Sequence, residues 1–288
     1  MSARSVRARH PAARDDIGDL VTRRPLPGPG LPLLDPFLFL NHHGPQVYPP
    51  GNRGLPFGPH PHRGFETVTL ILSGSLAHLD SGGHESVIHA GGMQWMTAGS
   101  GLIHAEISDA AFRRAGGPLE ILQLWVNLPA RLKMTAPAYI GLQAADIPTV
   151  PLDGDRATAA LIAGEIGGQA GPYRSLTDVA MMVVTMAAGA AITLPAPRGR
   201  VPFCYIVSGD PKAGGTALPA WHLIEWADDG DTIDLTADAP AVIAYGHAAP
   251  IGEPVVAHGP FVMNSRAEIS AAIHDYQAGR FGPAPLVE

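Results

Sequence analysis

The chain has 288 residues, of which 46% are hydrophobic and 16% charged, enough for a large core and for one or two domains, and this excludes a disordered chain. Its formal net charge is −7, with 26 acidic residues against 19 Lys plus Arg, which argues against direct nucleic-acid binding and against an anionic-membrane surface. The single cysteine, Cys204, permits no internal disulfide and fits a reducing compartment.

The expected location is cytoplasmic. No apolar run reaches the ~18 residues of a membrane span. The N-terminus lacks a signal-peptide core, and its Arg4, Arg7, Arg9 and Arg14 are offset by Asp15, Asp16 and Asp19. Residues 1–24 read as a polar, basic arm with Val6, Ile17, Leu20 and Val21 as anchors. A loop, Pro25–Gly30, separates it from an apolar strand over residues 33–40. His42 and His43 follow and are expected at a loop or edge. Adjacent strand residues face opposite sides, so the two cannot serve one site. Residues 45–59, rich in Pro and Gly, are expected to form a loop.

The segment from Gly58 to Glu66, Gly-Pro-His-Pro-His-Arg-Gly-Phe-Glu, is the chemical centre of the chain. His60 and His62 stand two positions apart and share a face of an extended strand, as do His104 and Glu106 about forty residues on. Placed side by side inside a barrel, the two strands bring three imidazoles and a carboxylate together. Pro61 removes a backbone donor and suits a strand at a sheet edge or barrel mouth. Thr67–Leu72, Leu76–Asp80, Met93–Thr97 and Leu119–Val126 read as strands between glycine turns, which predicts an all-β barrel or sandwich. Gln123 interrupts its apolar strand and is a candidate to orient the His rings. Phe65, Trp95, Met96 and Trp125 read as core rather than pocket wall. His78, His84 and His89 are expected to be solvated, and Arg63 either meets an anionic substrate or pairs with an acidic neighbour. Cys204 is expected to be packed in the core, and His247 and His258 are expected in the second barrel without a spaced partner.

Beyond a connecting stretch at 129–157 the pattern restarts. Residues 194–209 can be laid over residues 59–74 with an offset of 135, which aligns Arg198-Gly199 with Arg63-Gly64 and Ser208-Gly209 with Ser73-Gly74. Pro195 and Pro197 then stand where His60 and His62 do, which predicts a duplicated fold whose second copy lacks the ligands. Near the C-terminus, Ser265 and Glu268 form a capping box. Ile269, Ile273 and Tyr276 mark one helical face, and Gly279 closes a helix over about 266–278. The expected division is 1–150 for a metal-binding barrel with its basic arm and 151–288 for a degenerate barrel plus the helix.

Several separated stretches make the chain resemble the pirin family. They are His60-Pro61-His62-Arg63-Gly64-Phe65-Glu66-Thr67-Val68, Gln94–Gly99, His104-Ala105-Glu106, Gln123–Leu128 and Gly259–Asn264. The resemblance runs from roughly residue 30 to the C-terminus. It implies a bicupin, two tandem jelly-roll β-barrels with a short C-terminal helix. It also implies one metal, usually Fe(II), held by His60, His62, His104 and Glu106. Zn, Ni, Mn or Cu suit the same donors. The general cupin spacing, Gly-x5-His-x-His-x3-Glu, instead nominates Glu66 after Gly54, His60 and His62; the pirin resemblance favours Glu106. Family members include dioxygenases that open flavonols such as quercetin with O2; for that reaction the candidate general base in this chain is Glu106, or Glu66 if it stands behind the ligands. Other members are non-enzymatic regulators of transcription or of a metabolic enzyme. The expected partners are therefore a small phenolic or enol substrate and O2, with a protein partner under the alternative.

Overall fold

The structure, a computed structural model, describes residues 2–287. The chain forms two β units, and no helix among the described residues is long and apolar enough to cross a membrane. The first unit comprises Arg14–Arg24, Phe37–Ala145 and the chain from Ile251 on. The second comprises the chain up to Ala13, Pro25–Pro36 and Asp146–Pro250. This differs from the expected linear division, because the two terminal segments are exchanged. The basic arm is not loose. Its strand Val6–Pro11 pairs antiparallel with His222–Trp226 in the second unit. The C-terminal chain instead buries Phe261, Met263, Ile269, Ala272 and Phe281 with Ile103 of the first unit.

In the first unit the principal strands are β1 (Phe37–Tyr48), β2 (Phe57–His62), β3 (Phe65–Ser73), β4 (Ser75–Asp80), β5 (Glu85–His89), β6 (Met93–Thr97), β7 (Leu102–Ile107), β8 (Gly117–Asn127) and β9 (Ala138–Leu142). One seven-stranded sheet runs β9-β6-β3-β8-β1 and is completed by chain ahead of β1; a four-stranded sheet runs β2-β7-β4-β5. Leu76 and Ile88 of the small sheet meet Ile71, Leu119 and Ile121 of the large one, together with Leu20, Tyr48, Leu55 and Phe112. This apolar plug fills one end of the interior. The other end is polar, because alternation along each strand turns Thr69, Gln94, His104, Glu106 and Gln123 inward.

The second unit repeats the arrangement. Its seven-stranded sheet includes Val201–Ser208 between His222–Trp226 and Ala241–Ala248, and it too has a four-stranded sheet, around Ala190–Pro195 and Thr232–Ala237. Val201–Ser208 is therefore an inner strand of its sheet, as β3 is of its own. This interior is apolar, with Met182, Leu194, Cys204, Ile206, Ile233 and Tyr245 in one cluster. Burial pushes the Cys204 thiol up to about 12, so it is a packed core group, as its sequence context suggested.

Two α-helices occur among the described residues. A short one, Ala110–Ala115, was not anticipated, since six residues carry no usable periodicity. Asp109 caps it by accepting from the Ala111 and Phe112 amides. The anticipated C-terminal helix spans Arg266–Gln277, with Ser265 Oγ accepting from the Glu268 amide and Gly279 beyond its end at φ +73°. Its buried face is Ile269 and Ala272; Ile273 is half-buried, and Tyr276 is 38% exposed, its ring meeting Phe261 at 6.4 Å and Phe281 at 5.8 Å.

Candidate metal centre

β2 is an edge strand of the small sheet, where the missing N–H groups of Pro59 and Pro61 cost no inner ladder bond. It pairs antiparallel with β7 so that His104 stands opposite His60 and Leu102 opposite His62. Sequence neighbours and strand pairing thus place three imidazoles on one inward face. Their potential ligand atoms all lie within 4.8 Å of one another. The His60 and His104 Nε2 atoms are 3.0 Å apart. Two nitrogens each about 2.1 Å from one ion and at right angles to each other show a separation of this size.

The remote ring nitrogens fix the tautomers of two of the rings. His60 Nδ1 lies 2.8 Å from the Gly58 carbonyl and His62 Nδ1 lies 3.3 Å from the Pro260 carbonyl. Each Nδ1–H donates to its carbonyl, which leaves Nε2 with the lone pair a cation needs. Burial, and then the neighbouring His60, lower the His62 pKa to about 3. Burial, followed by His62, His60 and His78, holds His104 well below the ordinary range. His62 and His104 are therefore neutral at physiological pH and are competent ligands.

Glu106 lies two residues past His104 on the same strand and is 1% exposed. Its carboxylate falls outside the cluster of three histidines. Three neutral donors hold it: Oε1 accepts from Thr69 Oγ1 at 3.0 Å and from Gln94 Nε2, and Oε2 accepts from Gln123 Nε2. Gln123, singled out in the sequence as an interruption, thus grips the carboxylate directly. Gln94 and Thr69 were missed. The available signal was a polar residue on the inward register of each strand, since Thr69 pairs with both Gln94 and Gln123 across the sheet.

Glu66 faces the other side of β3. Its Oε1 accepts from Thr97 Oγ1 at 2.7 Å, it is fully buried, and burial raises its pKa to about 7. Alternation explains the separation: Thr67 and Thr69 point inward, so Glu66 points out. Three imidazoles beside a buried, hydrogen-bonded carboxylate, with no thiolate near, fit a divalent transition metal.

The inward face also carries an aromatic wall. The Trp125 ring lies 5.3 Å from the His62 ring, stacks on Phe39 at 4.6 Å and meets Phe65 at 4.4 Å. Phe39, Trp125, Gln123 and His60 are partly exposed, whereas Ile121 and His43, one step deeper on the same face, are buried. Solvent therefore reaches the polar half and stops at the apolar plug. At the rim the Arg24 guanidinium sits 4.8 Å over Phe39 and donates to Asn41.

Other sequence candidates separate on inspection. Arg63 does not reach the mouth; it pairs with Asp275 at 2.9 Å and donates to the Ser100 carbonyl. His42 and His43 are not loop residues, because β1 runs on through them to Tyr48. They are buried on opposite faces, His42 against Glu120 and His43 against Thr22. The stretch expected as a loop at 45–59 is strand at both ends, Tyr48 closing β1 and Phe57 opening β2. Of the histidines expected in solvent, His84 and His89 are exposed but His78 is fully buried, because alternation along β4 turns it inward beside Leu76 and Asp80. His247 is a buried partner of Arg200 in the second unit. His258 belongs with the C-terminal chain of the first unit rather than the second.

The chain is similar to known proteins over most of its length. Residues 19–126 match a family model described as pirin, and residues 181–282 match one described as the pirin C-terminal cupin domain. A Pseudomonas aeruginosa protein with a provisional quercetin 2,3-dioxygenase name is 38% identical over 248 residues, covering 86% of this chain and 87% of its own. Pirin of Rattus norvegicus is 38% identical over 268 residues, covering 90% of this chain and 87% of its own. The crystal structure of a quercetin 2,3-dioxygenase from Acinetobacter baumannii superposes with a TM-score of 0.92 at 32% identity, covering 98% of this chain and 99% of that one.

Proposed function

This chain belongs to the pirin family, and we propose that it is a metal-dependent dioxygenase that opens a flavonol or a related enol with O2. The observation that carries this reading is the His60–His62–His104 cluster, partly exposed at His60, beside an aromatic wall. We assign the metal to His60, His62, His104 and Glu106, with Fe(II) as the ion. Bound there, iron supplies Lewis acidity toward a substrate oxygen and redox reactivity toward O2.

The protein's own residues do the rest. The donors on Glu106 leave room at one oxygen: Oε1 accepts two hydrogen bonds and Oε2 accepts one. A carboxylate oxygen offers about two lone-pair sites, so Oε2 keeps one free, which would hold the ion or, when not bound to it, receive the substrate's hydroxyl proton. Gln94, Gln123 and Thr69 keep that oxygen aimed without neutralising it. Trp125 and Phe39 are partly exposed at the solvent-reached end, where a phenolic ring can pack against them. Ile71, Leu76 and Ile121 close the inner end and exclude water behind the substrate.

The test is metal analysis of the purified protein, followed by oxygen uptake over a panel of flavonols and other enols. Stoichiometric iron and O2-dependent flavonol loss are expected. Both should be abolished by chelation and by Glu106→Ala, whereas Glu66→Gln should retain its metal. Turnover that persists without O2 would rule the reaction out. Metal uptake with no oxygen consumption across the panel would move the assignment to a non-catalytic, metal-dependent regulator.

A further inference from the structure

The three histidines are not equally supported. His60 and His62 each donate from Nδ1 to a backbone carbonyl, but His104 Nδ1 is buried with no hydrogen-bond partner. A metal-bound imidazole almost always donates its remote N–H, because that bond fixes the ring and raises its basicity. A buried ring nitrogen left alone also costs free energy on the order of 1–3 kcal/mol. The gap therefore calls for a partner that is not a protein atom already in bonding range.

Close to His104 is a second fully buried imidazole with the complementary vacancy. The His78 ring lies 5.5 Å from that of His104, and its Nδ1 is likewise buried and unpartnered. His78 Nε2 lies 3.1 Å from Asp80 Oδ2. Donation from Nε2–H to that carboxylate leaves the lone pair on Nδ1. His104 has the reverse need: with Nε2 turned to the ion, its proton sits on Nδ1. One ring offers a donor and the other an acceptor, and a ring separation of 5.5 Å with the rings tilted lets a single water reach both nitrogens.

His78 is itself held firmly. Tyr139 stacks on it at 4.0 Å and 11°, and Tyr139 Oη donates to Gln94 Oε1 at 3.2 Å. Asp80 is held by the turn that follows it, with Oδ1 accepting from the Gly82 and His84 amides at 2.8 and 3.1 Å.

We propose that His78 is a positioning residue for His104, acting through one buried water that bridges the two Nδ1 atoms. The chain Asp80–His78–water–His104 then gives the third ligand the anchoring that carbonyls give the other two. This inference rests on the metal reading above, and its test separates the two.

The test compares Co(II) binding to the wild-type protein, His78→Phe and His78→Gln. It uses competition titration, the visible Co(II) absorption spectrum and thermal melting. Phenylalanine keeps the ring and its stacking on Tyr139 but offers no acceptor; glutamine restores one. His78→Phe is expected to weaken Co(II) binding 10–100-fold and to shift the Co(II) band, with His78→Gln recovering most of both. If His78→Phe does not fold, Asp80→Asn serves instead, since it frees the His78 ring, and a loss in the same direction is expected. A crystal structure of the wild-type holoprotein should show one water between the rings. Unchanged affinity and spectrum in a folded His78→Phe protein, or no water between the rings, would overturn the inference while leaving the metal assignment intact. Wild-type protein that takes up no Co(II) or iron would instead overturn the metal reading itself.

Discussion

The two candidate carboxylates show how far one residue's environment sets its chemistry. Glu106 meets three neutral hydrogen-bond donors, while Glu66 meets Thr97 in an apolar setting that raises its pKa to about 7. For Glu66 the sign follows directly. Its folded pKa exceeds the unfolded value of 4.5, so the native state binds the extra proton between them. Stability from this group is complete below about pH 4.5 and is lost as pH rises through 7. Urea unfolding of wild type and Glu66→Gln across pH 5–8 should show a wild-type decline that the variant lacks. By linkage the difference is at most about 3 kcal/mol. Parallel pH profiles for the two proteins would contradict the raised pKa.

At the scale of elements, the site depends on the turn between β2 and β3. Gly64 has φ +87°, and a Cβ there would meet the Val262 carbonyl oxygen at 2.0 Å. The same carbonyl accepts from the buried ammonium of Lys133 at 3.0 Å, and Lys133 also donates to the Gly64 carbonyl at 2.9 Å. The turn is therefore clamped between the C-terminal chain and Lys133, two residues from His62. Gly64→Ala should cost at least about 2 kcal/mol, since strain and a backbone clash add. It should also lower metal content, because it moves the end of β2. Differential scanning calorimetry with metal analysis checks both, and a near-neutral substitution would show that the turn has slack. The repeat aligned Gly199 with Gly64, and Gly199 also has a positive φ of +74°, but a Cβ there meets nothing within 4 Å. The second copy keeps the turn without the clamp.

At the scale of the whole molecule, the exchange of termini has a measurable consequence. Val6–Pro11 covers the edge strand His222–Trp226. Arg4, 5% exposed, donates to the Ala196 and Pro197 carbonyls and pairs with Asp228 at 2.7 Å. Removing residues 1–11 should uncover that edge and destabilise the second unit, giving a lower melting transition and faster proteolysis between 146 and 250. Metal binding by the truncated protein at temperatures below that transition should persist, since all four proposed ligands belong to the first unit. A truncation that melts like the full chain would mean the arm contributes little to the fold.

The sequence by itself determined the all-β class, the two-copy organisation and the pairing of His60 with His62 and of His104 with Glu106. The class and the shared faces are consequences of a period of two and of glycine turns, and the second copy of a repeat at an offset of 135; all of these survive without coordinates. It also exposed Gln123, whose polarity breaks an apolar strand. Tertiary structure alone decided that Glu66 turns away while Thr69 and Gln94 turn in, that His78 is buried beside His104, and that the N-terminal arm and the C-terminal helix fold with the units farther from them in sequence. Each of these depends on which strands lie side by side across long stretches of chain, and residue order constrains pairing between distant strands only weakly.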